Sequence, residues 1–176
     1  MSVSIFDGHP DVLAPWELWV RATALSQFVL REGNAWPVLE TLHYFGLSLL
    51  LGSVGLFDLR VLGVAKAIPP AALHRMVPFG VAGFLLNLLT GMAFFSGFPE
   101  QYAYNMAFRV KLVLLGLAGL NVLLFYSTAF GAVRTMKPGE DAPFWPKLLC
   151  GLSLGFWLGV LVCGRLLTFF RPPFFH

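Results

Sequence analysis

Glu40 and His43 stand three residues apart at the start of an apolar stretch, ETLHYFGLSLLLGSVGLFDLR, which closes on Asp58 and Arg60. Ionisable groups in so apolar a setting are costly, so each one calls for a reason. A neutral imidazole can ligate iron, copper or zinc, and a carboxylate one helical turn away can orient it or relay a proton. The i, i+3 carboxylate–imidazole pair is also the unit from which metal sites in helical bundles are assembled, although such sites use several of them and this chain has one Glu-x-x-His. Other groups able to join such a site are the thioethers of Met92 and Met106 and the cations of Arg109, Lys111 and Arg165.

The elements that must position these residues follow from composition. Of 176 residues 57% are hydrophobic and only 12% charged, against about a quarter charged in soluble domains. Four apolar runs, at 37–63, 77–97, about 107–130 and about 147–170, each reach the ~20 residues that a helix needs to cross a bilayer. Backbone polar groups in lipid must be satisfied within the segment, and the runs do not alternate as barrel strands do, so helices are expected. AIPPAALHRMVP, SGFPEQYAYN and RTMKPGEDAPFWPK separate them, with Tyr102 and Tyr104 expected in an aromatic belt. Before the first run, Pro15 marks a helix start and Gly33-Asn34 a stop. Glu17, Arg21, Arg31 and Glu32 fall broadly on one side of that helix, which is read as lying in the interface; a fifth span is the rival. The expected fold is all-α: an interfacial helix within 1–35, a four-helix integral membrane bundle over 36–170 and a tail at 171–176.

Four spans put both termini on one side of the membrane. Arg60, Lys66, Arg75, Arg134, Lys137 and Lys147 fall on the other side, while Arg21, Arg31, Arg109, Lys111, Arg165 and Arg171 fall with the termini. Discounting Arg109, Lys111 and Arg165 as site residues leaves the loops after the first and third spans more basic. The expectation is a bacterial cytoplasmic membrane with those loops inside and both termini outside. The start carries no positive n-region, so no cleaved leader is expected. No Lys/Arg run offers a nucleic-acid footprint. Cys150 and Cys163 are 13 residues apart, ~20 Å along a helix and too far for a disulfide.

In an up-down bundle, Glu40 and His43 share a depth with Thr90, Met92, Met106, Arg109, Lys111, Arg165 and Thr168. Such a pocket suits haem b: His43 as axial ligand, Met92 or Met106 opposite, an aromatic and Leu-rich slot, and Arg109, Lys111 and Arg165 for the propionates, with Glu40 orienting His43. Arg109 and Lys111 differ by about 200° around the helix, so one of them snorkels. His74 falls at the opposite face. Copper or an iron ion at His43 is a second reading. A third is a structural subunit of a membrane complex, with Glu40 ion-paired to Lys111 or Arg165 and the methionines in packing roles. Asp58 and Arg60 are read as a structural or headgroup pair, and Asn87 and Asn121 as bridges between helices. Gly151, Gly155 and Gly159 recur every four residues, a spacing that suits packing within the bundle or a homo-oligomer contact.

WPVLETLHYFGLSLLLGSVGLFDLRVLG, NMAFRVKLVLLGLAGLNVLLF and LSLGFWLGVLVCGRLLTFF resemble an uncharacterised family of small four-helix bacterial membrane proteins, over about 36–170. More distantly, the layout is similar to HemJ-type protoporphyrinogen oxidases and CopD-type copper-resistance proteins, with His43, Arg60 and Lys111 at the matching positions. That resemblance implies haem at His43 and an oxidoreductase with an unknown redox partner. The first span ends FDLRVLG, where the HemJ-type pattern ends RLFVYH.

Overall fold

A computed structural model describes residues 15–170; His9, Arg171, His176 and the tail at 171–176 lie outside the described residues. The chain forms α1 (Pro15–Arg21), α2 (Ala24–Arg31), α3 (Ala35–Leu62), α4 (Pro70–His74), α5 (Val77–Gly97), α6 (Pro99–Ala103), α7 (Met106–Leu124), a π-helical turn at Phe125–Ala129, α8 (Phe130–Arg134) and α9 (Phe144–Leu166). Four stretches, Ala35–Leu62, Pro70–Gly97, Met106–Arg134 and Phe144–Leu166, are long and apolar enough to cross a bilayer. This is an integral membrane helical bundle, as expected, with boundaries a few residues from those read in the sequence.

Local chemistry sets the ends. Gly63 closes α3 in the left-handed region (φ 107°), its amide bonding Arg60 O while the Val64 amide bonds Leu59 O. Proline stands in the first turn of α4, α5 and α6, where a missing amide hydrogen costs nothing. Asn105 caps α7: its Oδ1 accepts from the amides of Ala107 (2.9 Å) and Phe108 (3.4 Å). Its Nδ2 donates to Leu167 O, tying the start of α7 to the end of α9.

The spans pack as two antiparallel pairs, α3 with α5 and α7 with α9, joined through α3 and α9. The first pair is held by small residues. A Cβ on Gly83 would stand 2.4 Å from Gly46 O, and one on Gly80 would stand 2.4 Å from Ser53 Oγ, so the backbones approach as only glycine permits. In the second pair Gly159 faces Leu114 of α7, and Gly151 faces Leu62 of α3, while Gly155 has open space. Two of the three glycines are thus used inside the bundle.

The end carrying the loops 63–69 and 135–143, here the loop end, is closed. Phe57, Val61, Phe125, Ala129, Val133, Leu149 and Cys150 form its dry core. Asn121 donates to Leu149 O (3.0 Å), bridging α7 and α9 as expected. Asn87 instead donates to Gly83 O of its own helix. Asp58 and Arg60 do not pair: residues two apart point to different sides of a helix. Asp58 is buried beside Ser153 and Cys150. Arg60 is wholly buried, and its guanidinium donates to Ile68 O (2.5 Å) and Glu140 O (3.3 Å), clamping both loops. Lys66 and Lys147 hold Asp141 at 3.2 and 2.8 Å, and the Gly139 amide donates to Lys66 O.

At the opposite, terminal end, the segment read as one interfacial helix is two helices broken at Thr23, which caps α2. Trp16, Trp19, Leu25 and Phe28 stay exposed, but the expected polar stripe is divided. Arg31 and Glu32 are exposed, whereas Glu17 is buried and Arg21 ion-pairs with the buried Glu100 of α6. Val29 packs against Gly97. The segment therefore docks on α5 and α6 rather than resting on lipid alone.

Gly83→Ala is expected to destabilise the bundle by about 1–3 kcal/mol through overpacking, whereas Gly155→Ala is expected to stay within about 0.5 kcal/mol; thermal unfolding in one detergent compares them. Hydrogen bonds from Lys147 and Lys66 lower the Asp141 pKa below its ordinary 3.8. A lowered carboxylate stabilises the fold above its unfolded value and loses that contribution as pH falls through the folded one. Protection of the Gly139 amide from exchange is therefore expected to persist at neutral pH and fail only below pH 3.8; Asp141→Asn should lose it at neutral pH.

Candidate functional site

The terminal end holds a partly open cavity of ≈ 1220 Å³, lined by all four spans together with α2 and α6. Pockets for small ligands run about 300–1,000 Å³. Its walls are aromatic: Trp36 from α3, Phe84, Phe94 and Phe95 from α5, Phe98 and Tyr102 from the turn, Phe108 from α7 and Trp157 from α9. Leu50, Ala118, Trp157 and Val160 make the packed floor.

His43 lines this cavity and is half-buried. Its Nδ1 lies 2.7 Å from Thr90 Oγ1. The Thr90 hydroxyl itself lies 2.8 Å from Leu86 O. A hydroxyl has one proton, and the carbonyl can only accept it. Thr90 therefore accepts from Nδ1–H of His43, which leaves Nε2 with its lone pair. The imidazole of His43 is thus held at the cavity wall through Nδ1, with Nε2 left free of a hydrogen bond to any described residue. The ring also rests edge-on against Phe94, centroids 5.7 Å apart.

Lys111 is the cation that enters. Phe108, Lys111, Leu112 and Leu115, spaced as one helical face, line the cavity. Met106 and Arg109 belong to the other side of α7. Met106 is 67% exposed, and Arg109 is exposed and turns back to donate to Ala103 O (3.1 Å). Both are thereby removed from the expected site, and the 200° between Arg109 and Lys111 is the reason. Lys111 Nζ reaches across to α9, 3.8 Å from where a Gly164 Cβ would stand. Among the described residues it makes no ion pair and no hydrogen bond. Arg165 lines the rim with its guanidinium 5.9 Å from the Phe169 ring. Met92 lines the wall and is half exposed.

Glu40 sits at the rim, exposed, and accepts a hydrogen bond from Tyr44. It neither orients His43, which Thr90 does, nor pairs with Lys111 or Arg165. Burial, then the Glu40 carboxylate, push the Tyr102 phenol up to about 12, so it stays neutral at the mouth. Two further polar atoms are buried without a hydrogen-bond partner on residues that line the cavity: the acceptor Asn87 Oδ1 and the donor Trp157 Nε1. Asn87 is visible in the sequence as a polar residue in a span, but its side of the helix is not. His74 lies at the loop end, bonded to Tyr126 OH (3.0 Å) and stacked near Phe130, as far from His43 as the loop order required. Among the described residues no three His, Cys, Asp or Glu side chains gather as a metal cluster.

Replacing Thr90 with Val removes the acceptor that fixes the imidazole. Nitrogen NMR of labelled histidine should report His43 as the Nδ1–H form in the native chain and a mixture of tautomers in Thr90→Val; a native Nε2–H form would refute the assignment.

Comparison of the chain with protein-family models, with curated proteins and with solved structures finds no match. The likeness to HemJ-type and CopD-type proteins gains no support there, and any function has to rest on the cavity and its residues.

Proposed function

We propose that this is a haem b-binding membrane protein, an electron-transferring cytochrome of the bilayer. The observation that carries the reading is His43: one imidazole on the wall of a broad aromatic cavity, fixed through Nδ1 by Thr90 so that Nε2 keeps its lone pair. A ligating histidine ordinarily donates its other nitrogen to such a second partner, which fixes its tautomer and aims its lone pair. The cavity exceeds the usual size of a small-molecule site and is flanked by flat rings, as a macrocycle requires. Lys111 and Arg165, both on the cavity lining, would pair with the two propionates. Met92 is the remaining soft side chain on the wall and the candidate second ligand; Met106 faces away. Bound there, the haem would supply one-electron redox chemistry. The chain's own part is to aim the imidazole, exclude water with aromatic walls and hold the anionic edge.

The donor set fits haem better than a bare ion. Copper or iron held at His43 would find one nitrogen, the Met92 thioether and no nearby carboxylate cluster.

An absorption spectrum of the detergent-purified protein, oxidised and then reduced with dithionite, tests the reading. A Soret band with sharp reduced α and β bands is expected, absent in His43→Ala. Lys111→Ala should keep the bands and weaken haem affinity about tenfold, ~1.4 kcal/mol. No Soret band after expression with ample haem would overturn the proposal, and stoichiometric copper or iron in that colourless protein would point to an ion site instead.

A further inference from the structure

The second and third spans are consecutive, yet they do not pack along their length. α5 belongs with α3 and α7 with α9. What links α5 to α7 is the short α6 and, near the terminal end, the stacked rings of Phe95 and Phe108, 6.0 Å apart. One to two turns deeper stand Leu88 and Met92 on α5 and Leu112 on α7. All three line the cavity, and they are 47%, 49% and 51% exposed. These residues flank the seam from both helices where the two do not pack on each other, and with half of each residue left accessible no contact closes the cavity wall there, which marks an opening. At 1.5 Å per residue Leu112 lies ~6 Å below the Phe95–Phe108 pair, within the apolar length of both helices. The opening therefore faces lipid rather than water.

Behind it stands Lys111, whose ammonium has no carboxylate partner among the described residues. An unpaired charge in apolar surroundings is costly and attracts an anion. Only a ligand dissolved in the bilayer can use a side entrance, and an anionic one would compensate the charge of Lys111. We infer that the cavity takes an anionic amphiphile from the bilayer through the gap between α5 and α7, its apolar body passing Leu88, Met92 and Leu112 and its head paired with Lys111. The inference uses the same cavity as the haem reading, whose propionates would compete with the amphiphile for Lys111, but it does not depend on haem, because it stands on the seam and on a cation without an ion-pair partner among the described residues. The anion could be a phospholipid phosphate or a carboxylate on another membrane-dissolved molecule; phosphatidylglycerol is the probe for the first, and a fatty acid for the second.

Trp157 lines the cavity while being only 8% exposed, so it reports what enters. With Trp16, Trp19, Trp36 and Trp145 changed to Phe, its emission is compared in vesicles of phosphatidylglycerol with plain or brominated chains, and likewise in phosphatidylcholine. The brominated-to-plain ratio cancels any quenching by a bound cofactor. The expected result is loss of Trp157 emission in brominated phosphatidylglycerol, a smaller loss in brominated phosphatidylcholine, and no difference between the two in Lys111→Met. Brominated fatty acid in phosphatidylcholine vesicles giving the larger loss would assign the anion as a carboxylate and equally support the side entrance. Unquenched Trp157 in every vesicle, or equal quenching whatever the head charge, would overturn the inference. Should the single-tryptophan chain fail to fold, native mass spectrometry of the protein with all its tryptophans reads the same point. Retained phosphatidylglycerol or fatty acid that is lost in Lys111→Met supports it, and no retained anionic amphiphile refutes it. A protein without a Soret band but with quenched Trp157 loses the haem reading and keeps this one; the reverse pattern loses this one alone.

Discussion

Everything at the terminal end depends on how closely α3 and α5 approach. Gly46 and Gly83 touch backbone to backbone, which no side chain would allow. In an antiparallel pair this contact fixes the register: residues one turn before Gly46 meet residues one to two turns after Gly83. His43 and Thr90 stand at those positions, and the 2.7 Å bond between them follows from the register. The glycines that appear to be mere packing devices thus decide which nitrogen of the imidazole carries the proton.

The two ends of the bundle solve opposite problems. At the loop end, apolar side chains fill the space, and Arg60 offers its buried guanidinium to carbonyls of both loops. Those carbonyls accept from a charged side chain that is itself wholly buried and needs hydrogen-bond partners. With that end closed, the space left between the pairs α3/α5 and α7/α9 lies at the other, as the cavity there. That end is covered by α1 and α2, anchored through the Arg21–Glu100 ion pair, and by Val29 against Gly97. A closed end and an open end are two consequences of the same packing.

The spans were legible because length and hydropathy alone identify a membrane helix, and the alternation of helix direction then fixes depth. Depth correctly gathered His43, Met92, Lys111 and Arg165 at one cavity and sent His74 to the far end. Azimuth was only partly legible. The 200° between Arg109 and Lys111 required one to leave, but which one depends on how α7 rotates against α9, and that is set by contacts such as Gly159 with Leu114. Met106 was lost for the same reason. The partner of His43 was illegible because it depends on the register of two helices rather than on spacing within one, which is why Glu40 looked like the orienting group. The N-terminal segment misled in a different way: a polar stripe reads as solvated, yet Glu17 is buried and Arg21 pairs with Glu100, since charges that find partners across elements leave no trace in a single helix's periodicity.

Charge is distributed lengthwise in a manner that bears on what the cavity holds. The buried carboxyl of Asp58 is fifteen residues beyond His43 on α3, ~22 Å along the axis, and Glu40 is turned outward at the rim to Tyr44. Neither neutralises Lys111. Lys111 contributes a positive potential beside His43, poorly screened where the dielectric is low, while the carboxylates that line the cavity, Glu32 and Glu40, are exposed. A cation approaching His43 works against that potential and would meet a single imidazole nitrogen, whereas a molecule with anionic groups and an apolar body is favoured on both counts. On the proposed reading, a cation with no ion-pair partner among the described residues would favour an anionic macrocycle or amphiphile over a free metal ion.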